Sequence, residues 1–187
     1  MAHRASTPGQ TAGPFFGYAL PYECGPNLVD RSSPTAIRLH GWLYDGAGVP
    51  VLDGLIEIWQ ADEHGTISTS PGSLHRNGYT FTGFGRAETD GSGHYQFTTV
   101  EPGRRKDAAG PPFITVVVFA RGLLNKLHTR IYLPQHRHLF AEDPLLASLD
   151  PARIPTLVAS READGALRHD IRLQGEGETV FLKYEYG

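Results

Sequence analysis

Histidines are the first candidates for chemistry in this sequence, which contains nine of them in 187 residues. His136 and His138 have the H-x-H spacing, which on a strand would place both imidazoles on one face and within reach of one metal ion. The pair follows Pro134, however, in a segment that we predict to be a loop, and no carboxylate or third histidine lies at a fixed offset from it. Histidines in this setting are more often surface residues. A self-sufficient metalloenzyme based on this pair is therefore the weakest hypothesis.

Arg130 is the second candidate, because the alternation of residues 127–133 (LHTRIYL) predicts a strand beside the core. A guanidinium group in that position requires a partner, and its planar fork suits a carboxylate from Asp, from Glu or from a ligand. Pairing within the chain is the commoner case. His128 lies two residues earlier and shares a strand face with Arg130. The two side chains can therefore line one pocket.

Several other classes of site are excluded or left without support. The single cysteine, Cys24, allows neither an internal disulfide nor a multi-thiolate metal site, and it predicts a cytoplasmic location. The motifs HExxH, GxSxG and GxGxxG and the phosphate-binding loop do not occur. A net charge of −3 with interspersed signs argues against nucleic-acid and membrane partners. A Ser/His/Asp triad stays open, because such triads are recognised by geometry and not by sequence.

The elements that must position these residues are short strands separated by turns. Residues 114–119 predict a central strand buried on both faces, and residues 127–133 predict its hairpin partner after a break at Arg121 and Gly122. Residues 85–100 and 156–173 predict two further hairpins. The remaining predicted strands cover 36–44, 51–60 and 179–186.

One short helix is predicted, with Asp143 as its cap, Pro144 in its first turn and a small leucine face. The eight or nine strands and the frequent glycines and prolines, 22 and 14 in number, are typical of turn-rich β-proteins. We therefore predict an all-β fold, an antiparallel β-sandwich, over residues 35–187.

Residues 1–34 form a separate segment, in which prolines and glycines recur too often for a helix or a central strand. We interpret it as an extended N-terminal arm. It nevertheless carries large apolar side chains, namely Phe15, Phe16, Tyr18, Leu20 and Tyr22. This density indicates that the arm docks, either on the chain's own sandwich or on a partner chain.

Four segments together resemble the intradiol ring-cleaving dioxygenases. They are QTAGPF at 10–15, LIEIWQAD at 55–62, LHTRIY at 127–132 and DIRLQGEGETVF at 170–181, and they span nearly the whole chain. The resemblance implies a β-sandwich in a complex of homologous α and β chains, and HTRIY and QGEGETVF resemble the α chain. It also implies a non-haem Fe(III), held by two tyrosines and two histidines, that activates a catechol, here protocatechuate, for attack by O2 and cleavage between its hydroxylated carbons.

The same resemblance implies that this chain lacks the iron ligands. Ile67, after the EIWQA segment, stands at the position of the first tyrosine, and Arg105 stands at that of the second. The H-x-H pair of the family matches Ile114 and Val116. Isoleucine and valine offer no lone pair to a metal. We therefore expect this chain to bind no catalytic iron, and we expect the partner β chain to carry it.

The residues Thr11, Gly13, Pro14 and Arg130 resemble α-chain residues that reach the partner's iron pocket. Gly13 lets backbone approach a substrate closely, Pro14 stiffens that approach, Thr11 can hydrogen-bond, and Arg130 can hold an acidic group. The resemblance thus predicts a subunit that shapes the shared site for protocatechuate and O2 and joins a higher oligomer of αβ pairs. The alternative is a non-catalytic β-sandwich that binds a ligand or a protein or serves a structural role.

Overall fold

The polypeptide folds into two packed β-sheets, and the computed structural model describes residues 11, 13, 15–70 and 80–184. The strands, numbered in chain order, are β1 Ile37–Tyr44, β2 Leu55–Trp59, β3 Phe84–Glu88, β4 His94–Thr99, β5 Phe113–Phe119, β6 Leu127–Tyr132, β7 Ser160–Arg161, β8 Leu167–Arg168 and β9 Ile171–Arg172. The helices are α1 Phe16–Ala19 and α2 Pro144–Ser148, with 3-10 helices at Pro134–Glu142 and Ile154–Leu157.

The first sheet has the strand order β3-β2-β5-β6, and all its pairs are antiparallel. The second has the order β4-β1-β8-β7, and β9 also pairs with β1. Because β8 and β9 both run parallel to β1, the second sheet is mixed. The inner faces of both sheets contribute to one buried apolar cluster. The predicted β-sandwich is confirmed.

The core between the sheets follows from the alternation of side chains along each strand. Every strand of the first sheet turns one set of apolar residues inward, and β1, β4, β8 and β9 of the second sheet do the same. The residues that are at most 1% exposed include Leu39, Leu43, Ile56, Ile58, Phe97, Ile114, Val116, Val118, Ile131 and Ile171. Apolar burial on this scale is the main favourable term in folding.

The strand β5 differs from its prediction as a strand buried on both faces. Its even-numbered residues, from Ile114 to Val118, are buried, whereas its odd-numbered residues, from Phe113 to Phe119, are partly exposed. The odd-numbered residues are mostly apolar and cover the outer face of the sheet. An apolar run therefore does not distinguish a strand buried on both faces from one with an apolar outer face.

The predicted central hairpin of β5 and β6 is confirmed. The two strands pair antiparallel, with Thr115 opposite Arg130. The chain turns at Gly122, whose φ of +90° lies in the region that favours glycine. Along β6, Thr129 and Ile131 are buried in the core, while Arg130 stays partly exposed on the outer face.

The other predicted strands need correction. β3 and β4 follow one another around a turn but do not form a hairpin ladder, because β3 pairs with β2 and β4 pairs with β1. In the segment 156–173 only the two-residue strands β7 and β8 pair antiparallel, and residues Ile154–Leu157 are helical. Residues 179–184 form one isolated bridge, between His128 and Leu182, instead of a strand; residues 185 and 186 lie outside the described residues.

The predicted cap of α2 is confirmed. The Asp143 carboxylate accepts hydrogen bonds from the backbone N–H groups of Leu145 and Leu146 at 2.9 and 3.1 Å, and Pro144 occupies the first turn. The structure adds a helix that was not predicted, α1, within the arm. The described part of the arm is therefore not extended throughout.

The arm docks in part on the chain's own sandwich. Leu28 is 4% exposed and belongs to the core, and the Phe16 ring lies 6.2 Å from the ring of Phe119 on the outer face of β5. Phe15 and Tyr18, in contrast, are 75% and 88% exposed. The arm thus has one set of apolar residues that packs within the chain and another that faces solvent.

Arg86 of β3 fastens the arm to this sheet. Its Nε donates to the Glu57 carboxylate of β2 at 2.8 Å, and its Nη1 donates to the backbone carbonyl of Leu20. The side chains of Arg86 and Glu57 are only 14% and 15% exposed. One partly buried ion pair therefore couples the position of the arm to the strand pairing beneath it.

None of the helices in the part of the chain that the structure describes is long and apolar enough to cross a membrane.

Candidate functional site

Three side chains that line one cavity lie in a row on the outer face of the first sheet. Trp59 of β2 lies opposite Thr115 of β5, and Thr115 lies opposite Arg130 of β6. Because neighbouring strands are ~4.8 Å apart, the backbones at Trp59 and Arg130 are separated by about 10 Å. A small threonine between two large side chains leaves a gap above the sheet.

This gap is the floor of a cavity of about 160 Å³ that is partly open to solvent. One wall is the loop before β5, including Gly110, Pro111 and Pro112. Arg105 from the same loop and Ile67 from the loop after β2 complete the lining, together with Tyr184 near the C-terminal end. The cavity therefore brings together residues that are far apart in the sequence.

The structure changes which residues of β5 belong to this site. Ile114 and Val116, the predicted counterparts of the family's two histidines, are fully buried in the core between the sheets. The residues of β5 that line the cavity are Phe113 and Thr115. A metal in this cavity would face positions 113 and 115, one residue away from the predicted pair, because alternate residues of a strand face opposite sides.

Arg130 is oriented by contacts within its own chain. Its guanidinium carbon lies 4.0 Å from the centroid of the Phe113 ring. Its Nη1 donates to the Tyr132 hydroxyl at 3.1 Å and lies 3.7 Å from Oδ2 of the buried Asp143. Burial raises the pKa of Tyr132 above its ordinary value, so this hydroxyl stays protonated and donates to Asp143 at 3.1 Å.

This arrangement uses only part of the Arg130 fork. Within the described residues, its Nε and Nη2 make no hydrogen bond, and the side chain is 27% exposed at the cavity. Arg130 therefore has structural partners and also borders a cavity of its own chain, without His128. Its role in a pocket shared with a partner chain stays a prediction. The group can hold an acidic ligand without leaving its own partners.

The predicted histidines do not join this site. His128 packs against the Tyr184 ring, with 5.1 Å between ring centroids, and its pKa is lowered by burial and by Lys126. The rings of His136 and His138 are 6.3 Å apart on a 3-10 helix, and burial lowers the pKa of His136. No histidine lines the cavity in the described part of the chain.

The predicted arm residues are also not gathered at this cavity. Thr11 and Gly13 are exposed, and neither is among the described residues that line it. A Cβ atom built on Gly13 would meet nothing within 4 Å in the described structure. Pro14 lies outside the described residues. Of the three predicted pocket residues that the structure describes, only Arg130 borders this cavity.

The cavity does not fit the ferric ion that the family resemblance implies. Ile67 and Phe113 have no donor atom, and Arg105 is a cation paired with Asp107 at 2.9 and 2.6 Å. Tyr184 alone offers a phenolic oxygen and Thr115 a hydroxyl, which is not a two-tyrosine, two-histidine set. Over residues 11, 13, 15–70 and 80–184, no group of three or more His, Cys, Asp or Glu residues is placed to hold a metal.

Sequence reasoning missed most of the cavity lining. No sequence motif marks four of the lining residues, Trp59, Phe113, Thr115 and Tyr184. Only the alternation of side chains along β2 and β5 could have placed the first three on the outer face. A polar cluster on the second sheet was missed as well. His40 lies 3.0 Å from His94 and 2.9 Å from Glu162, three residues that no sequence spacing connects.

The open possibility of a Ser/His/Asp triad finds no support in the described residues, where no serine hydroxyl is hydrogen-bonded to a histidine. The buried His169 is likewise not part of such a triad in the described residues. Within the described residues its Nε2 has no hydrogen-bond partner, and burial lowers its pKa to about 4. It lies between β8 and β9 and is not among the residues that line the cavity.

Comparison with known proteins agrees with the fold. Residues 12–175 match a family model described as Dioxygenase. The protocatechuate 3,4-dioxygenase alpha chain of Pseudomonas putida is 39% identical over 95% of this chain and 96% of its own length. The beta chain of the same enzyme from Burkholderia cepacia is 31% identical over 76% of this chain and 61% of its own length.

A solved structure gives the same result at the level of the fold. The dioxygenase domain of a dioxygenase carbohydrate-binding protein fusion from Streptomyces sp. SirexAA-E superposes with a TM-score of 0.58 and 25% identity. The superposition covers 90% of this chain and 96% of that domain. With the family match over most of its length and these relatives, the chain belongs to the intradiol dioxygenase family.

Proposed function

We propose that the chain is the α subunit of a protocatechuate 3,4-dioxygenase. Its partner is a homologous β chain that carries a non-haem Fe(III). The complex cleaves protocatechuate between its two hydroxylated carbons and incorporates both atoms of O2, which gives 3-carboxy-cis,cis-muconate. The near full-length similarity to an alpha chain, and the weaker similarity to a beta chain, support this assignment.

The observation that carries the proposal is the composition of the cavity above Thr115. In a chain with this family's fold, the described lining offers one phenolic oxygen, from Tyr184, and no histidine, while Ile67, Arg105 and Phe113 offer no donor atom, so it does not supply a ferric ligand set. A chain that keeps the fold but lacks metal donors is expected where a partner chain carries the iron. Its contribution is then structural, through pocket walls and assembly contacts.

The proposal gives the arm and Arg130 a role toward the partner chain. Thr11 and Gly13 are exposed, and Phe15 and Tyr18 next to them are 75% and 88% exposed. Exposed aromatic side chains at this density favour burial against a partner. Thr11, Gly13 and Pro14 would then border the iron pocket of the partner, with Arg130 at the edge of the same interface.

Iron content and oxygen uptake test the proposal directly. The chain is purified alone and after co-expression with a homologous chain that carries the two-tyrosine, two-histidine set. We expect no stoichiometric iron and no protocatechuate-dependent oxygen uptake for the chain alone, and both for the complex. The β chain purified alone is the control for activity that does not need this subunit.

Two outcomes would contradict the proposal. Stoichiometric ferric iron and ring cleavage by the isolated chain would mean that it has a metal site of its own. Failure to associate with any such homologue would favour a non-catalytic binding or structural sandwich. The exposed Phe15 and Tyr18 also lead us to expect self-association of the isolated chain, so that a monodisperse monomer in sedimentation would argue against a large obligate interface.

A further inference from the structure

We propose that His40 and His94, on the outer face of the second sheet, bind one divalent transition-metal ion of the class that includes Zn²⁺ and Cu²⁺. This inference goes beyond the proposed function, because it involves neither the iron of a partner chain nor the cavity above Thr115. Three observations carry it: the distance between two ring nitrogens, a carboxylate beside each ring, and the local excess of negative charge.

The pairing of β1 with β4 brings the two histidines together. Trp42 of β1 lies opposite His94 of β4, so His40 is the diagonal neighbour of His94 on the same face. The alternate residues Leu39 and Tyr95 belong to the core between the sheets. The position of the histidine pair is therefore set by the register of two strands, which is a rigid support for a binding site.

The distance between the facing nitrogens matches two ligands of one ion. Nδ1 of His40 and Nε2 of His94 are 3.0 Å apart. Two imidazole nitrogens that each lie about 2.0–2.1 Å from one ion, at a square or a tetrahedral angle, are about 2.8–3.4 Å apart. A small rotation of the His94 ring, the more exposed of the two, would aim both lone pairs at one ion.

Each histidine also has a carboxylate near its other ring nitrogen. Oε2 of Glu162 lies 2.9 Å from Nε2 of His40, and Oδ2 of Asp90 lies 3.9 Å from Nδ1 of His94. These carboxylates favour the tautomers that carry a proton on the outer nitrogens, which leaves a lone pair on both facing nitrogens. Metal-binding histidines are typically oriented by such a second partner.

A hydrogen bond between the two rings is the alternative use of this contact, and it fits the carboxylates less well. Two neutral imidazoles carry two protons on four nitrogens. If one proton lies between the rings and the other faces Glu162, the Nδ1 lone pair of His94 faces the carboxylate of Asp90. A metal ion removes this conflict, because no proton is then needed between the rings.

The surroundings of the histidine pair carry an excess of negative charge. The charged side chains around it in the described structure are four carboxylates and two guanidinium groups, namely Asp90, Glu162, Asp164, Asp170, Arg38 and Arg168. Both arginines are already paired with carboxylates of this group. The electrostatic field at two neutral histidines therefore favours a cation.

The histidine pair is accessible from one side. The His40 side chain is 4% exposed and that of His94 is 19% exposed, so an ion arrives along His94 and is then held against the buried ring. No third His, Cys, Asp or Glu in the described part of the chain is placed to complete the ligand set. Water fills the other positions, which makes this a reversible site and not a structural zinc centre.

Metal titration of the chain tests this inference. Zn²⁺ is titrated into the full chain by calorimetry after dialysis against a chelator, and Mg²⁺ is the control ion because it prefers oxygen ligands. We expect one Zn²⁺ site per chain that Mg²⁺ does not occupy. With Cu²⁺ as the probe, electron paramagnetic resonance should show coupling to two nitrogen ligands.

Three variants assign the site. His94→Gln removes one ligand and should weaken Zn²⁺ binding at least about tenfold. Glu162→Gln keeps the size of the side chain beside His40 but removes its charge, and it should weaken binding by about tenfold to a hundredfold. The matched control is His136→Gln, because the rings of His136 and His138 are also close, at 6.3 Å. It should leave the affinity unchanged.

No Zn²⁺ binding to the folded chain, unchanged binding in His94→Gln, or a loss of binding in His136→Gln instead would each overturn the inference. The histidine pair would then share only a proton. If His94→Gln does not fold, Glu162→Gln and the copper spectrum decide: unchanged affinity together with fewer than two nitrogen ligands refutes the site.

If the chain is insoluble alone, the same comparison is made on its complex with the β chain. Metal analysis after equilibration with Zn²⁺ should give one Zn²⁺ fewer per copy of this chain in His94→Gln than in the unaltered complex, and equal zinc contents would refute the site. Iron content and oxygen uptake should be the same in both preparations. Absence of either from both would bear on the proposed function alone.

Discussion

The guanidinium group of Arg130 stacks on the ring of Phe113, with 4.0 Å between the guanidinium carbon and the ring centroid. The two residues lie on neighbouring strands, Phe113 on β5 and Arg130 on β6. A cation held over a ring face is stabilised electrostatically and fixed in orientation. Arg130 is therefore preorganised by its own chain before any ligand or partner arrives.

The first prediction is that lysine cannot replace Arg130 in the assembled enzyme. Arg130→Lys keeps the charge but loses the planar fork and the stacking on Phe113. In the complex with the β chain we expect kcat/KM for protocatechuate to fall about tenfold or more, with the iron content unchanged. Oxygen uptake and metal analysis on the same preparation provide the measurement.

The control for this prediction is Arg104→Lys, because the partly exposed pair of Arg104 with Glu142 lies outside the cavity. It should leave kcat/KM unchanged. An unchanged kcat/KM in Arg130→Lys would mean that Arg130 has no role toward the substrate and serves only the contacts within its own chain, with Phe113, Tyr132 and Asp143.

The second prediction concerns the ion pair that fastens the arm. Arg86→Ala leaves the shielded Glu57 carboxylate without its cation and removes the donor to the Leu20 carbonyl. Breaking one side of a buried ion pair typically costs about 3–5 kcal/mol of unfolding free energy. Because this pair is only partly buried, we expect a loss at or below the lower end of that range, about 2–3 kcal/mol, measured by urea denaturation of the complex or, if soluble, of the chain.

The double variant Arg86→Met, Glu57→Leu is the comparison for this loss. It removes both charges, so it should recover most of the stability lost in Arg86→Ala. The arm contact to Leu20 is not restored, and we expect faster proteolysis of the arm in both variants. A double variant as unstable as the single one would show that the charge left on Glu57 is not the cause.

The fold was largely accessible from the sequence where alternation and turn residues agree. The central hairpin, with its turn at Gly122, and the α2 cap at Asp143 depend on local signals and are confirmed. The pairing of β3 and β4 with different sheets was not accessible, because turn residues near Asp90 fix the local reversal but not which sheet each strand joins. That choice depends on long-range packing.

The candidate site was accessible only in part. Arg130 could be singled out because a charged residue in an apolar strand requires a partner. The cavity itself depends on Thr115 lying between Trp59 and Arg130, a relationship set by the register of three strands. The same limit explains the one-residue offset on β5, where the cavity is lined by Phe113 and Thr115 instead of Ile114 and Val116. The sequence of an apolar strand does not show which of its two faces is the outer one.

The third prediction is a loss of stability in mild acid caused by His169. Burial lowers its pKa to about 4, against an ordinary value of about 6.5, and the charge of Asp170 only partly opposes this effect. Between these values the unfolded chain binds a proton that the folded chain does not. The free energy of unfolding is therefore unaffected by this histidine above pH 6.5. It decreases as the pH falls toward 4, by about 3 kcal/mol in total.

Urea unfolding at a series of pH values measures this dependence. Carboxylates also titrate in the lower part of the range, so the relevant quantity is the difference between the protein and a His169→Gln variant. We expect the variant to lose stability less steeply between pH 6.5 and 4. His64→Gln is the control, because its side chain is 78% exposed. Parallel curves for the protein and His169→Gln would contradict the assignment.

The fourth prediction concerns the close approach of β1 to the segment between β8 and β9. A Cβ atom at Gly41 would lie 1.8 Å from the carbonyl oxygen of His169, which also accepts a hydrogen bond from the Tyr95 hydroxyl at 2.6 Å. That oxygen belongs to buried backbone and cannot move aside as a flexible side chain can. Gly41→Ala should therefore separate β1 from both parallel strands and cost about 3 kcal/mol or more.

The matched control is Gly91→Ala, a site in the turn before β4 where an added Cβ would meet nothing within 4 Å in the described structure. It should change the unfolding free energy by less than about 1 kcal/mol, and the change can be stabilising because alanine restricts the unfolded chain. The comparison uses urea midpoints at pH 7, above the range in which His169 titrates. Equal stability of the two variants would mean that β8 and β9 can shift away from β1 at little cost in free energy. The second sheet would then be stabilised mainly by the pairing of β1 with β4.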